Sequence, residues 1–395
     1  MTSLLVIIVL ILLAVAIWQM TKIFDLTQVG KSKDNSQVAN NKDNNIQGYM
    51  MFGFLAFLYV FTIFGMFKWG HLVLGTPASE HGTDVDNLMY ITFGVIFFVQ
   101  AITQALLHYF AFKYRGAEGK KAIFFADNDR LEFIWTIVPV FVLAGLILYG
   151  LYTWTNIMFV DEDEDVMVVE LYAHQFAWQA RYSGEDNVLG KANVRLIEGI
   201  NTLGVDLEDP NAQDDIEVTE LHLPKGKKIV FKLRSQDVLH SAYMPHFRAQ
   251  MNCVPGMVTQ FAFTPTMTTD QMREDPAIVE KIHNINLIRA KKSNELVANG
   301  ESPLDPYEFD YLLLCNKICG ASHYNMQMKI VVDTPSEFKQ WLKDKQTIVN
   351  VVKNDKLAKE TEAATLKNSP TGTKGDSIKS DSVKVSSKPV VVALK

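Results

Sequence analysis

Four long apolar runs alternate with polar linkers over the first 157 residues, and short alternating segments follow them. The runs lie at about 3–20, 49–67, 88–112 and 133–156. A helix crosses a bilayer with roughly 20 apolar residues, so each run is long enough to span. Basic residues favour the cytoplasmic side. Segment 113–130 carries Lys113, Arg115, Lys120, Lys121 and Arg130, and segment 21–48 carries Lys22, Lys31, Lys33 and Lys42. Both are expected in the cytoplasm. Segment 68–87 has only Lys68 among several acids and is expected outside. Four crossings with the N-terminus outside satisfy all three and put everything after 156 outside. Ala14-Val15-Ala16 offers a rival reading as a signal-peptidase site. No Lys or Arg precedes the first apolar core, and cleavage would strand the later domain in the cytoplasm, so an uncleaved anchor is the reading retained.

Within the third run, Gln100, Gln104 and His108 recur every four residues and share one helix face. Such a polar stripe should meet protein rather than lipid. It reads as packing between helices; a haem-ligand role for His108 has no second histidine at matching depth. The fourth run opens Arg130-Leu-Glu132-Phe-Ile-Trp135-Thr-Ile-Val-Pro139. Trp135 suits the interfacial belt, and Pro139 predicts a kink. Glu132 is either a favourable carboxylate at a helix N-terminus or the mouth of a proton path into a membrane partner.

After an acidic junction, Asp161–Asp165, β-branched segments appear at 166–172, 217–222, 228–234, 258–263, 310–315 and 327–332. Turn signals such as Pro224-Lys-Gly226 and Pro255-Gly256 separate several of them. That pattern predicts an all-β sandwich or barrel. The stretches 183–216, a loop, and 270–300, of helical character, read as insertions. The resulting division is an N-terminal span and linker (1–48), a second span and outer loop (49–87), a transmembrane helical hairpin (88–156), a β domain (157–345) and a flexible polar tail (346–395). The tail is too poor in large apolar residues to offset its ordering entropy, unless it orders on a partner.

Composition narrows the function. The 395 residues carry a formal net charge of −6, with no basic stripe, which argues against nucleic acid as a partner. The three cysteines, Cys253, Cys315 and Cys319, provide no disulfide framework. There is no Cys-x-x-Cys-His, so no covalent haem is expected on this chain.

The chemistry concentrates in Cys315-Asn-Lys-Ile-Cys319-Gly-Ala-Ser-His323-Tyr-Asn-Met326. Thiolate and thioether favour Cu(I), and imidazole suits copper in either oxidation state. Two thiolates four residues apart can bridge two coppers, with His240 and His323 giving one imidazole each. Met326 can be a weak ligand to one copper, and a backbone carbonyl in the loop, such as that of Lys317, can serve the other. A Cys2His2 zinc site would gain nothing from Met326. A disulfide would leave His323 and Met326 unexplained, and a mononuclear blue-copper site needs one cysteine. Cys253 reads as a buried small hydrophobe, and His246 as at most a neighbour of the site.

These residues resemble subunit II of the haem–copper cytochrome c oxidases. The likeness covers roughly 88–182 and 217–342. It rests on the Cys-x-x-x-Cys-Gly-x-x-His-x-x-Met loop, on Asp237-Val-Leu-His240-Ser, on Val254-Pro255-Gly256 and on Leu131–Pro139. The resemblance implies a cupredoxin-like Greek-key barrel on a transmembrane hairpin, with extra N-terminal spans. It implies a binuclear CuA centre held by His240, Cys315, the Lys317 carbonyl, Cys319, His323 and Met326. Electrons would come from a cytochrome c and pass to subunit I for proton-pumping oxygen reduction. The setting would be the bacterial inner membrane, with the copper domain on the outer side and Glu132 at a proton path. In His174-Gln175-Phe176-Ala177-Trp178, Phe176 stands where the family has its electron-accepting tryptophan. Lys317 replaces a usual acid that reaches a magnesium shared with subunit I, so loss of that magnesium is expected. Gln236 and Asn252 also replace common acids, which points to a tethered cytochrome domain as donor rather than a soluble basic one. Rival functions are a copper-bearing subunit of a nitric oxide reductase-type complex and an anchored copper carrier.

Overall fold

The computed structural model describes residues 2–29, 41–160 and 165–368. Acidic residues 161–164 and the tail from 369 lie outside the described residues. Four helices come first: α1 (Thr2–Val29), α2 (Asn41–Trp69), α3 (Gly82–Lys113) and α4 (Asp129–Met158). Three described helical segments, Asn41–Leu72, Gly82–Lys113 and Asp129–Met158, are long and apolar enough to cross a membrane. Ile8–Ile23 of α1 forms a shorter apolar helix. Asn128 caps α4 by accepting a hydrogen bond from Leu131 N–H at 3.1 Å, and Glu132 lies exposed in its first turn.

Helix α2 packs on α3. A Cβ on Gly48 would meet the Phe112 ring at 2.7 Å, so glycine permits the close approach. His108 is 4% exposed, with its Nδ1 2.8 Å from the Gln104 carbonyl and its ring near Phe54. The expected polar stripe therefore meets α2 at His108, whereas Gln100 stays exposed.

The outer domain is two five-stranded sheets. Its strands are β1 (Val166–His174), β2 (Ala177–Tyr182), β3 (Ile216–Val218), β4 (Leu221–Pro224), β5 (Lys228–Ser235), β6 (His240–Met244), β7 (Ala249–Cys253), β8 (Thr259–Phe263), β9 (Tyr311–Cys315) and β10 (Gln327–Asp333). One sheet runs β3-β2-β1-β5-β8 and the other β4-β10-β9-β6-β7. Alternating residues such as Leu171, Phe231, Leu233, Leu313 and Ile330 fill the core between them. The six segments read from the sequence all carry strands. Three strands were not anticipated: β2, β6 and β7. Strands β6 (His-Ser-Ala-Tyr-Met) and β7 (Ala-Gln-Met-Asn-Cys) are mixed in polarity, because they are held by pairing to each other and by β6 to β9.

Further helices are α5 (Thr269–Arg273), α6 (Pro276–Ala298), α7 (Pro335–Lys343) and α8 (Ile348–Asn368). The structure differs from the expected flexible tail at 346. Helix α8 begins at Ile348, and Ile348 and Val352 are buried with Tyr172 of β1 and with Leu203 and Val205 of the 183–216 insertion. That insertion is also more than a loop. Buried Arg181 joins Glu170 at 2.7 Å and Asp215 at 2.8 Å, and donates to the Gly190 carbonyl at 2.9 Å.

Candidate metal centre

Strand pairing gathers the site. His240 opens β6, Cys315 closes β9, and Ala242 pairs with Cys315. Cys315 N–H donates to the Met326 carbonyl at 3.1 Å and Asn316 N–H to the Ser241 carbonyl at 3.0 Å. The loop 315–326 thus caps the β9–β10 pair beside His240. Strand β1 runs parallel to β5, with Ala173 beside Ser235, which delivers Gln175 and Phe176 to the same end.

The donor atoms converge. Cys315 Sγ lies 3.9 Å from Cys319 Sγ, 3.8 Å from His240 Nδ1 and 3.2 Å from the Lys317 carbonyl oxygen. Cys319 Sγ lies 3.6 Å from His323 Nδ1 and 3.8 Å from Met326 Sδ. A disulfide requires about 2.05 Å between sulfurs, so both cysteines are free thiols. His240, Cys315 and Cys319 place their ligand atoms within 4.8 Å of one another. One imidazole stands beside each sulfur, and the soft donor set fits copper. Burial, then the neighbouring Cys315 thiol, push the Cys319 thiol above its usual range. A cation between the sulfurs would reverse that, since metal binding requires thiolates.

Surrounding groups fix the ligands. Asp237 Oδ1 lies 2.9 Å from His240 Nε2, leaving Nδ1 toward the sulfurs. Burial pushes the Asp237 carboxyl up, but hydrogen bonds with His240, Gln175 and Val238 outweigh it and hold the carboxyl below its usual range. Gln175 Nε2 donates to the Cys319 carbonyl. Gly320 has φ +144, and a Cβ there would come 2.8 Å from the Phe176 ring. Phe176 therefore lies directly over the loop. Trp178, 3% exposed, meets the His240 ring edge-on at 6.3 Å. Cys253 is buried opposite His240, and burial pushes its thiol up to about 12.

The structure places His246 elsewhere, at the far end of β6 against Phe309 and Tyr311. The Lys317 side chain is exposed, and Glu132 lies at the opposite end of α4 from the β domain. Sequence reasoning passed over Asp237, Gln175 and Gly320 as individual contributors. Asp237 had a signal, its three-residue spacing to His240. Gln175 had none, because its partner is 144 residues away.

Apolar helices leading into a two-sheet barrel with a Cys/His cluster at its strand ends define a membrane-anchored, cupredoxin-like protein with a candidate metal site. The family model "Cytochrome C oxidase subunit II, transmembrane domain" matches residues 68–153, and the periplasmic-domain model of the same subunit matches 167–272. The chain is 32% identical to the alternative cytochrome c oxidase subunit 2 of Bradyrhizobium diazoefficiens over 70% of its own length and 85% of that protein. It is 26% identical to cytochrome c oxidase subunit 2 of Alkalihalophilus pseudofirmus, over 51% of this chain and 53% of that one. It is 21% identical to the Thermostichus vulcanus subunit 2, over 70% and 80%. The chain belongs to the cytochrome c oxidase subunit II family, as a variant with apolar helices ahead of the matched transmembrane domain. It is accordingly a membrane subunit of a haem–copper oxidase, an oxidoreductase complex, with an outer-side β domain.

Proposed function

We propose that this chain accepts electrons for its oxidase through a binuclear copper centre and delivers them to haem in subunit I. The observation that carries the reading is the pair of facing thiols, 3.9 Å apart, each beside one imidazole. Cys315 and Cys319 would bridge two coppers. His240 and His323 would bind one each, with Met326 and the Lys317 carbonyl as the weaker donors. When bound, the copper pair supplies a one-electron relay whose shared charge keeps bond lengths nearly constant. The protein's part is to hold six ligands in one arrangement for both oxidation states. Asp237 orients His240, Gln175 holds the Cys319 carbonyl, and the sheets anchor both ends of the loop.

Phe176, over Gly320, is the proposed point of electron arrival, with Trp178 behind it against His240. The donor is a cytochrome c, here a domain tethered in a partner complex, since Gln236 and Asn252 thin the acidic docking face. Glu132 is assigned to the mouth of a proton path. The setting is the bacterial inner membrane, with the copper domain on its outer face.

Purified chain reconstituted with copper should bind two coppers and show the EPR signal of one electron shared between them. A single-copper signal, or zinc binding in preference to copper, would refute the reading.

A further inference from the structure

Hairpin β6–β7 carries a proposed metal ligand at one end and a contact to a membrane span at the other. His240 pairs with Cys253 at the first end, and Met244 pairs with Ala249 at the second. Arg248, in the connecting turn, has φ +52 and ψ +32. That left-handed conformation is strained for a residue with a side chain, and glycine would adopt it freely. An arginine there suggests that its side chain contributes something the turn itself does not need.

The guanidinium reaches across to the membrane helices. Nε donates to Asp86 Oδ1 at 2.7 Å and Nη2 to Asp86 Oδ2 at 2.9 Å, a two-pronged pair. Nη2 also donates to the Gly75 carbonyl at 2.6 Å, and Nη1 to the Pro245 carbonyl at 2.8 Å. Both side chains are largely buried. Asp86 lies in the second turn of α3. The outer linker between α2 and α3 is stitched to the same end of the barrel. Ala78 N–H donates to the His246 carbonyl at 2.7 Å and Glu80 N–H to the Thr264 carbonyl at 3.0 Å. Ser79 Oγ donates to the Phe247 carbonyl at 2.7 Å, and Thr76 Oγ1 to Asp275 at 2.7 Å. Ala78 is fully buried in the barrel core.

We infer that Arg248 is a positioning residue. Its pairing with Asp86 ties the β6–β7 hairpin to the outer end of α3, and thereby sets where the copper loop stands over the membrane partner. Helix α4 already touches the barrel at β8. An attachment on α3, a different span, adds a restraint at the Arg248 end of the hairpin. Paired strands are stiff along their length, so a displacement at Arg248 passes along the five residues of β6, His240–Met244, at about 3.4 Å per residue, to His240, eight residues back in the chain. The inference rests on the copper reading for its functional consequence, but not for the tether itself.

The test uses the oxidase complex carrying Arg248→Gly, which keeps the turn unstrained, together with Asp86→Asn and Arg248→Lys. Copper content and the EPR signal should match those of the parent. Hydrogen exchange at the Ala78 and Glu80 amides should quicken by about tenfold or more, as expected for opening a segment whose buried ion pair is broken. Electron transfer from copper to haem should slow several-fold, whereas reduction by the donor should not change. Arg248→Lys should recover part of both losses. Parent-like exchange and parent-like transfer in Arg248→Gly would overturn the inference. So would loss of copper, which would make the residue structural rather than positioning. Failure of the unmutated complex to show a two-copper signal would instead sink the copper reading, while the exchange result would still report on the tether.

Discussion

At the scale of single residues, the donors differ in what they would lose. Met326 Sδ lies 3.8 Å from Cys319 Sγ. Met326→Leu should shift the midpoint potential while both coppers remain, because a weak ligand tunes potential more than occupancy. Cys319→Ser should disrupt the pair, since it removes one of the two proposed bridging sulfurs. Potentiometric titration and copper analysis of both variants check this contrast. Asp237→Ala frees the His240 ring and should weaken copper binding by roughly 10- to 100-fold, the usual cost of removing a ligand's orienting partner; a competition titration measures it. His246 offers a prediction away from the metal. Burial, then Lys281 and Arg248, lower its pKa to about 4, against a small opposing pull from Asp275. The unfolded chain takes up that proton near 6.5, so between 6.5 and about 4 it binds more protons than the fold. Stability from this group is therefore complete above pH 6.5 and is lost as pH falls through 4. His246→Gln should flatten the melting-temperature profile over that window.

At the scale of elements, the 183–216 insertion and α8 stabilise each other. Ile348 and Val352 of α8 cover Leu203 and Val205, and Ile348 N–H donates to the Asp215 carbonyl at 2.9 Å. Ile348→Ala should cost about 2–4 kcal/mol of outer-domain stability by chemical denaturation, whereas a truly flexible tail would tolerate it. Beneath the insertion, Arg181 satisfies two buried carboxylates at once. Strong strands such as β1 and β5 were legible because their residues are apolar and β-branched. Strands β6 and β7 were not, since their mixed residues owe their extended form to neighbours distant in sequence. Helix α8 escaped notice because three buried apolar residues at its start, Ile348, Val349 and Val352, suffice to seat an otherwise polar helix.

At the scale of the whole molecule, several large apolar side chains in and near the candidate metal site face outward. Ile318 and Tyr324 are 87% and 88% exposed, and Met257 and Val258 are also exposed. Charge attraction between surfaces is screened within about 8–10 Å at physiological salt. A donor held by such side chains and by a tether should reduce this subunit at rates that change little with ionic strength. Stopped-flow reduction across a salt series checks this; a steep fall would favour a soluble, charge-steered donor. The exposed Lys317 side chain leads to a companion expectation, that the purified oxidase lacks stoichiometric magnesium at the subunit I interface, as metal analysis would show.

Local sequence was enough to mark the apolar runs and to single out the 315–326 loop as the candidate metal site. Hydropathy, Lys/Arg asymmetry and ligand spacing are all properties of neighbours along the chain, and twelve consecutive residues hold five of the six proposed ligands. His240 was expected at the site from the sequence, but only the tertiary structure set its Nδ1 3.8 Å from Cys315 Sγ, laid Phe176 over Gly320, and turned the His240 ring with Asp237. It alone joined Arg248 to Asp86 across 162 residues. Those contacts depend on strand order and on how the barrel seats on the helices, which no local pattern encodes.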